Sequence, residues 1–195
     1  MTNPVVLVVE DVLSEAVLRK MVTLSGGSIN RVVCTRGNDQ IRQGIEKFKN
    51  ASAILPHFIL TDLDRYECPL ALLEDWKVRN LPPAIIFRIA VREVESWLLA
   101  DREGIAHYLQ IPSNKVPFHP EMESDPKQTL INLARKSRNK RLISEMVPAS
   151  GSRTPIGPLY NARMSEFVQD FWNIEKASEN SESLSRAMQR ISELH

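Results

Sequence analysis

Apolar stretches without polar interruption alternate with stretches of helical periodicity over the first 110 residues. Val5–Val9 is continuously apolar and β-branched, as strands that are buried on both faces are. Residues 13–24 carry apolar side chains at helical spacing, and Gly26 and Gly27 then end the helical pattern. The chain is therefore predicted to begin with a strand, a tight turn and a helix.

The same alternation continues to about residue 110. Further strands are predicted at Ile29–Cys34, residues 58–63 and residues 84–90. Asn38 or Asp39 is predicted to cap a helix that runs to about Phe48. Further helices are predicted over about 70–78 and, as one long helix, over about 91–109. Strands that alternate with helices predict an α/β fold, here a Rossmann-like parallel four-stranded sheet sandwiched by helices.

Beyond residue 110 the pattern changes. Four prolines break the chain at positions 112, 117, 120 and 126, and no convincing strand follows them. Helical spacing returns near residues 128–136, 141–146, 160–172 and 182–194, with a Gly/Pro/Ser loop at 148–158. We therefore expect an α/β core over residues 1–110 and a helical, basic C-terminal extension over residues 111–195, packed on the core.

Cysteine content and hydropathy narrow the class of protein. Cys34 and Cys68 stand far apart, without a CxxC or Cys/His cluster, so neither a disulfide framework nor a structural zinc site is indicated. No apolar run approaches the ~20 residues of a membrane-spanning helix, and the chain enters its first strand without a charged leader. We expect a cytoplasmic protein that does not contact a membrane.

Charge is distributed unevenly although the net charge is only +1. Residues 126–163 hold eight basic residues and one acidic residue, a net charge of +7, while the segments before and after them each carry −3. Such a stretch suits contacts to a nucleic-acid backbone, DNA or RNA. The candidate contacts are Lys127, Arg135, Lys136, Arg138, Lys140, Arg141 and Arg153. The alternative is a solvated helix face whose charges pair with the acidic half.

Carboxylates follow two of the predicted strands. Glu10 comes directly after the first strand, and Asp62 and Asp64 close the third. Ligands of parallel α/β sheets bind at the carboxyl ends of the strands, so these side chains are predicted to share one site. Oxygen ligands favour Mg²⁺ or Mn²⁺. The alternative is that each carboxylate merely caps the next helix or solvates a turn.

A phosphoacceptor receiver domain begins with a similar pattern. It also requires a hydroxyl residue at the end of its fourth strand and a lysine at the end of a fifth. Here the fourth apolar run ends Phe87-Arg88-Ile89-Ala90, and no later strand ends in lysine. A receiver-like domain therefore remains the lesser alternative.

The glutamate and the DxD pair resemble the Toprim domain, which topoisomerases, primases, recombination proteins and overcoming-lysogenization-defect nucleases share. The match is Glu10 after the first strand and Asp62 and Asp64 after the third, about 50 residues later, with an α-β-α pattern between them. Toprim proteins often carry glycine just after the glutamate, where this chain has Asp11.

A second resemblance is local and extends over nearly the whole chain. Residues 91–101 (VREVESWLLAD), 125–127 (DPK) and 157–161 (GPLYN) are similar to an uncharacterised bacterial family of small Toprim-related proteins. Members of that class tend to be encoded beside ATPases in defence-type neighbourhoods. The resemblance therefore implies an ATPase protein as partner.

Together the resemblances imply a Mg²⁺-dependent Toprim-type nuclease that acts in ATPase-coupled anti-phage defence. Asp62 and Asp64 would hold Mg²⁺ or Mn²⁺, and Glu10 would ligate the metal or act as general base toward the attacking water. Glu93 and Glu95 would complete a second metal site. The alternative is a non-catalytic subunit of the same fold that binds nucleic acid or a partner protein. Homo-oligomerisation is left open.

Overall fold

The structure is a computed structural model, and it describes residues 4–192. Its sheet consists of four parallel strands in the order β2-β1-β3-β4. The strands are β1 (Val5–Val9), β2 (Ile29–Cys34), β3 (His57–Asp62) and β4 (Ile85–Ala90). This confirms the predicted parallel four-stranded α/β sheet, and each predicted strand lies within one residue of its observed bounds.

Helices connect successive strands, as right-handed crossovers of a parallel sheet require. They are α1 (Val12–Leu24), α2 (Asn38–Ala51) and α3 (Pro69–Asp75). Asp11 caps α1, because its Oδ1 accepts from the backbone N–H of Ser14 at 2.8 Å. The predicted cap of α2 at Asn38 or Asp39 is wrong. Gly37 holds the cap position, with φ at 125°, and makes no side-chain cap.

The long helix predicted over residues 91–109 is two helices, α4 (Val94–Ala100) and α5 (Arg102–Leu109). Asp101 divides them. Its buried carboxylate accepts from the N–H of Gly104 at 3.0 Å, which caps α5, and from the N–H of Asn173 at 2.8 Å. A Cβ on Gly104 would lie 2.1 Å from Asp101 Oδ2, so glycine is required for this approach. Helical spacing in the sequence continues across the break, because the apolar Leu98 and Ile105 stand seven residues apart on either side of it.

The remaining described chain is helical, as expected. Its helices are α6 (Pro126–Ala134), α7 (Lys140–Met146), α8 (Tyr160–Asp170), α9 (Ile174–Asn180) and α10 (Glu182–Ser192), with short 3₁₀ turns at Ser113–Lys115 and Pro120–Met122. Helix α9 was not predicted. It has seven residues and buries only Ile174 and Ala177, too few to give a periodic signal. Residues 92–192 contain no strand, so the described chain lacks the fifth strand that a receiver domain needs.

The chain forms two compact units. The first runs to Val91 and resumes at Ser183, and the second is Arg92–Glu182. This division differs from the expected regions 1–110 and 111–195, because α4 and α5 lie in the second unit and most of α10 lies in the first. None of the helices within residues 4–192 is long and apolar enough to cross a membrane.

The sheet of the first unit is covered on both faces, which explains why β1 is apolar at every position. Val6 and Val8 of β1 point to one face, where Ile41 and Ile45 of α2 and Trp76 join the same buried cluster. The alternate positions of the strands are buried on the other face, among them Leu7, Phe58 and Leu60. This packing fixes the strand ends, and therefore the residues that follow them.

Candidate active site at the carboxyl ends of β1 and β3

Glu10 and Asp62 meet because β1 and β3 are neighbours in the sheet. The strands pair in register, with Val8 opposite Ile59. One residue past the end of β1, Glu10 Oε1 accepts from the Thr61 hydroxyl at 2.5 Å and from the backbone N–H of Asp62 at 2.8 Å. Strand β1 has already ended at this level, so it offers no backbone acceptor to the N–H of Asp62. The Glu10 carboxylate accepts that hydrogen bond instead.

Asp64 follows in a left-handed backbone conformation, with φ at 49°. Such conformations are uncommon outside glycine and recur at functional sites, where surrounding contacts hold them in place. Here the Asn38 side-chain amide donates to Asp64 Oδ2 at 2.5 Å. Asn38 opens helix α2, so the contact joins the start of that helix to the end of β3.

Sequence reasoning missed Thr61 and Asn38. Thr61 was included only as an apolar strand position, although its hydroxyl is buried and bound to Glu10. Asn38 was considered only as a helix cap. Their positions were the available signal, because Thr61 stands one residue before Asp62 and Asn38 comes shortly after the end of β2. Only the folded arrangement of the strands and of α2 shows which carboxylate each side chain reaches.

Burial and neighbouring charges destabilise the ionised form of Glu10. Burial is the largest cause that raises the pKa of Glu10 above its usual range, and the negative charges of Asp64 and Asp11 raise it further. The hydrogen bonds from Thr61 and the N–H of Asp62 act in the opposite direction but do not cancel the effect. A carboxylate in this environment gains from a proton or from a nearby cation.

Glu10→Gln is expected to raise the melting temperature at neutral pH. The pKa of Glu10 is raised on folding, so its ionisation costs stability as pH rises from the unfolded to the folded pKa, and the cost is complete above the folded pKa. Glutamine removes that cost and keeps an oxygen for Thr61. Thermal unfolding followed from acid to neutral pH should show the gain growing with pH.

Glu103→Gln is the matched control. Glu103 is exposed and bound to Lys176 Nζ at 2.7 Å, and that hydrogen bond lowers the pKa of Glu103. The same substitution there should give no gain at neutral pH. A gain for Glu10→Gln that is as large at acid pH, where both carboxyls are protonated, would contradict the account.

The carboxylates fit a hard cation by chemistry, although they do not form a preassembled cage. Within residues 4–192 no three His, Cys, Asp or Glu side chains are arranged to hold a metal ion. Mg²⁺ commonly takes only one or two carboxylates and completes its shell with water and substrate phosphate oxygens. Glu10, Asp62 and Asp64 can serve in that manner.

Glu93 and Glu95, the predicted second metal pair, contact Lys127 in the second unit. Lys127 Nζ lies 3.4 Å from Glu95 Oε1 and 3.8 Å from Glu93 Oε1, and the Lys127 backbone N–H donates to Glu93 Oε2 at 3.0 Å. Glu95 is buried and also accepts from the Tyr160 hydroxyl at 3.2 Å. Lys127 carries one positive charge against two carboxylates, so it neutralises the pair only in part, and its ammonium group is engaged by them.

The other basic candidates lie on the surface of the second unit. The exposed residues are Arg135, Lys136, Arg138, Lys140, Arg141 and Arg153. Among these six, in the described structure, Arg141 alone forms an ion pair, with Glu145 at 2.9 Å inside the same segment. The alternative in which these charges pair with the acidic half of the chain therefore finds no support in the described contacts.

Comparison with known proteins adds little to these contacts. No protein-family model matches the chain, and no curated protein matches it. Among solved structures, the chain is similar to the C-terminal region of the Burkholderia pseudomallei OLD protein, over 99% of this chain and 98% of that one, with 14% sequence identity and a TM-score of 0.42. A likeness at this identity and TM-score carries no function.

Proposed function

We propose that the protein is a Mg²⁺-dependent nuclease that hydrolyses phosphodiester bonds of nucleic acid. The observation that carries the proposal is the hydrogen-bonded junction of Glu10 with Thr61 and Asp62, beside Asp64, at the carboxyl end of a parallel sheet. Ligands of such sheets bind at this end of the strands. Because the pKa of Glu10 is raised, a nearby dication would stabilise its ionised form. The donor atoms of the three carboxylates are oxygens, which Mg²⁺ and Mn²⁺ prefer.

Each side chain has a part in the proposed reaction. A bound Mg²⁺ or Mn²⁺ would lower the pKa of water and neutralise charge on the phosphate. Asp62 and Asp64 would hold it, with Asp64 oriented by the Asn38 amide. Glu10, oriented by Thr61, would ligate the metal or accept the proton of the attacking water, and a raised pKa brings a carboxylate nearer to the operating pH of a general base.

The same proposal includes an ATPase protein as partner, a role as effector in anti-phage defence and a cytoplasmic location. They are supported by the sequence resemblance alone. Residues 91–101, which include Glu93 and Glu95, are part of that resemblance.

The test is a cleavage assay on DNA and RNA with Mg²⁺ or Mn²⁺. The full chain is assayed alone and with any ATPase that is encoded beside it, and excess chelator serves as the control. Cleavage that appears with the metal and stops with the chelator is the expected result. If neither nucleic acid is cut under any of these conditions, the proposal is wrong.

A non-catalytic binding subunit is the second candidate, and the exposed basic side chains favour it. If they bind the phosphate backbone of duplex DNA, replacing Arg138 and Lys140 by glutamine should lower the slope of log affinity against log salt by about 2. Arg31 and Lys47 are exposed in the first unit, and their double replacement by glutamine should leave the slope unchanged. Equal slopes of log affinity against log salt for the two double variants would exclude the basic residues of the segment 126–163 as the binding surface.

A further inference from the structure

A cavity of about 610 Å³ opens beside Asp64 in the first unit. Its volume lies in the range of pockets that bind small molecules. It is lined by Asn38, Asp39, Asp64, Arg65, Tyr66 and Trp76. Asp64 belongs both to this cavity and to the candidate active site, so a group bound in the cavity would lie next to a phosphate held at the site.

The aromatic side of the cavity is fixed by a chain of polar contacts. The Trp76 indole N–H donates to the Tyr66 hydroxyl at 3.1 Å, and that hydroxyl donates to Asp75 Oδ2 at 2.5 Å. The Arg42 guanidinium pairs with the same carboxylate at 3.0 Å, and the Trp76 ring packs edge-on against Phe87. Side chains held in this way lose little conformational entropy when a ligand binds.

The charged groups that line the cavity disfavour phosphate and favour a neutral planar ring. Two carboxylates, Asp39 and Asp64, stand against one guanidinium, that of Arg65. Carboxylates accept hydrogen bonds from amino groups of nucleobases, and amide side chains such as that of Asn38 can both donate and accept. Aromatic side chains provide stacking surfaces that tolerate any base. Tyr66 is the partly exposed ring of the cavity, whereas Trp76 is buried and donates to the Tyr66 hydroxyl.

We propose that this cavity binds the unstacked base of the nucleotide beside the scissile phosphate. Because a base inside a duplex is stacked and paired, the substrate would be single-stranded nucleic acid or a frayed duplex end. The placement beside a scissile phosphate rests on the proposed nuclease function. The base-binding cavity itself can be tested without cleavage. If Tyr66 and Trp76 served only to pack α3, binding would not depend on bases.

The experiment compares two single strands of equal length and charge, one with bases and one abasic. Binding to the full chain is measured by fluorescence anisotropy in chelator, so no cleavage occurs. The wild type should bind the strand with bases about tenfold more tightly. Tyr66→Leu should remove this preference and Tyr66→Phe should keep it. Phe171→Leu, which alters an exposed aromatic side chain of the second unit, should also keep it.

Tryptophan fluorescence locates the binding without any Tyr66 variant. Trp97 and Trp172 are buried in the second unit, whereas Trp76, itself only 6% exposed, lines the cavity. The strand with bases should quench emission in the wild type but not in Trp76→Phe. Equal affinity for the two strands, quenching that persists in Trp76→Phe, or a preference that survives Tyr66→Leu would each overturn the inference.

The nuclease proposal fails separately. A base preference in a protein that cuts nothing would keep the cavity and reject the nuclease. Metal-dependent cleavage without any base preference would keep the nuclease and reject the base-binding cavity.

Discussion

Replacing Asp62 and Asp64 together by asparagine is expected to lower metal-dependent cleavage at least a thousandfold, an order-of-magnitude figure for removing metal ligands and their charge stabilisation. Asparagine keeps the size of each side chain but removes both negative charges. The fold should survive, because the backbone N–H of Asp62 that binds Glu10 is unchanged and Asp64 is exposed. Cleavage rates under single-turnover conditions, with circular dichroism as a check on folding, measure the effect.

Asp170→Asn is the control for the loss of charge. Asp170 is an exposed carboxylate at the end of α8 in the second unit, and its replacement should leave cleavage within about twofold of the wild type, the usual result for a surface change away from a site. If the Asp62/Asp64 variant cleaves as fast as the wild type, these carboxylates take no part in the mechanism.

Gly157→Ala is expected to lower the free energy of unfolding by about 3 kcal/mol, at the upper end for forcing an atom into a packed site. A Cβ there would lie 2.4 Å from the backbone carbon of Met146, 2.5 Å from the Glu145 carbonyl oxygen and 2.6 Å from the Val147 nitrogen. All three are backbone atoms at the end of α7, so no side chain can rotate away. The Gly157 N–H also donates to the Met146 carbonyl at 3.0 Å, a bond that the strain would weaken.

Gly44→Ala supplies the matched comparison. Gly44 lies inside α2, and a Cβ there would approach only the outer ring atoms of Phe48, at 2.8 Å. That ring can move, and alanine favours a helix over glycine by up to about 1 kcal/mol, so the change should cost far less than Gly157→Ala. Thermal or denaturant unfolding of both variants gives the comparison. Equal losses of stability would show that backbone contact at Gly157 is not the cause.

The strands of the first unit were predictable from the sequence because both faces of the sheet are buried. Continuous apolar runs such as Val5–Val9 leave few other structures, and the carboxylates that follow them mark the edge where ligands bind. The meeting of Glu10 with the end of β3 follows from the neighbouring position of β1 and β3. Alternating strands and helices predict that the carboxyl ends share one edge of the sheet, but not which strands are neighbours.

Features that depend on tertiary contacts were not predictable in this way. Asp101 divides one helical pattern into α4 and α5 because its carboxylate also binds the N–H of Asn173, 72 residues away. Asn38 does not cap α2, and its side-chain amide instead donates to Asp64, 26 residues away. Lys127 and Glu95 were assigned opposite partners from sequence, nucleic acid and metal, yet they pair with each other. Periodicity carries no information on such partners.

The most direct test of the central claim is a crystal of the protein soaked in Mn²⁺ and measured at the manganese absorption edge. We expect an anomalous peak within coordination distance of Asp62 or Asp64. It should lie at the carboxyl ends of the strands, near Glu10. A well-ordered site without any such peak, at Mn²⁺ concentrations that saturate the cleavage assay, would contradict the assignment of these carboxylates as a metal site.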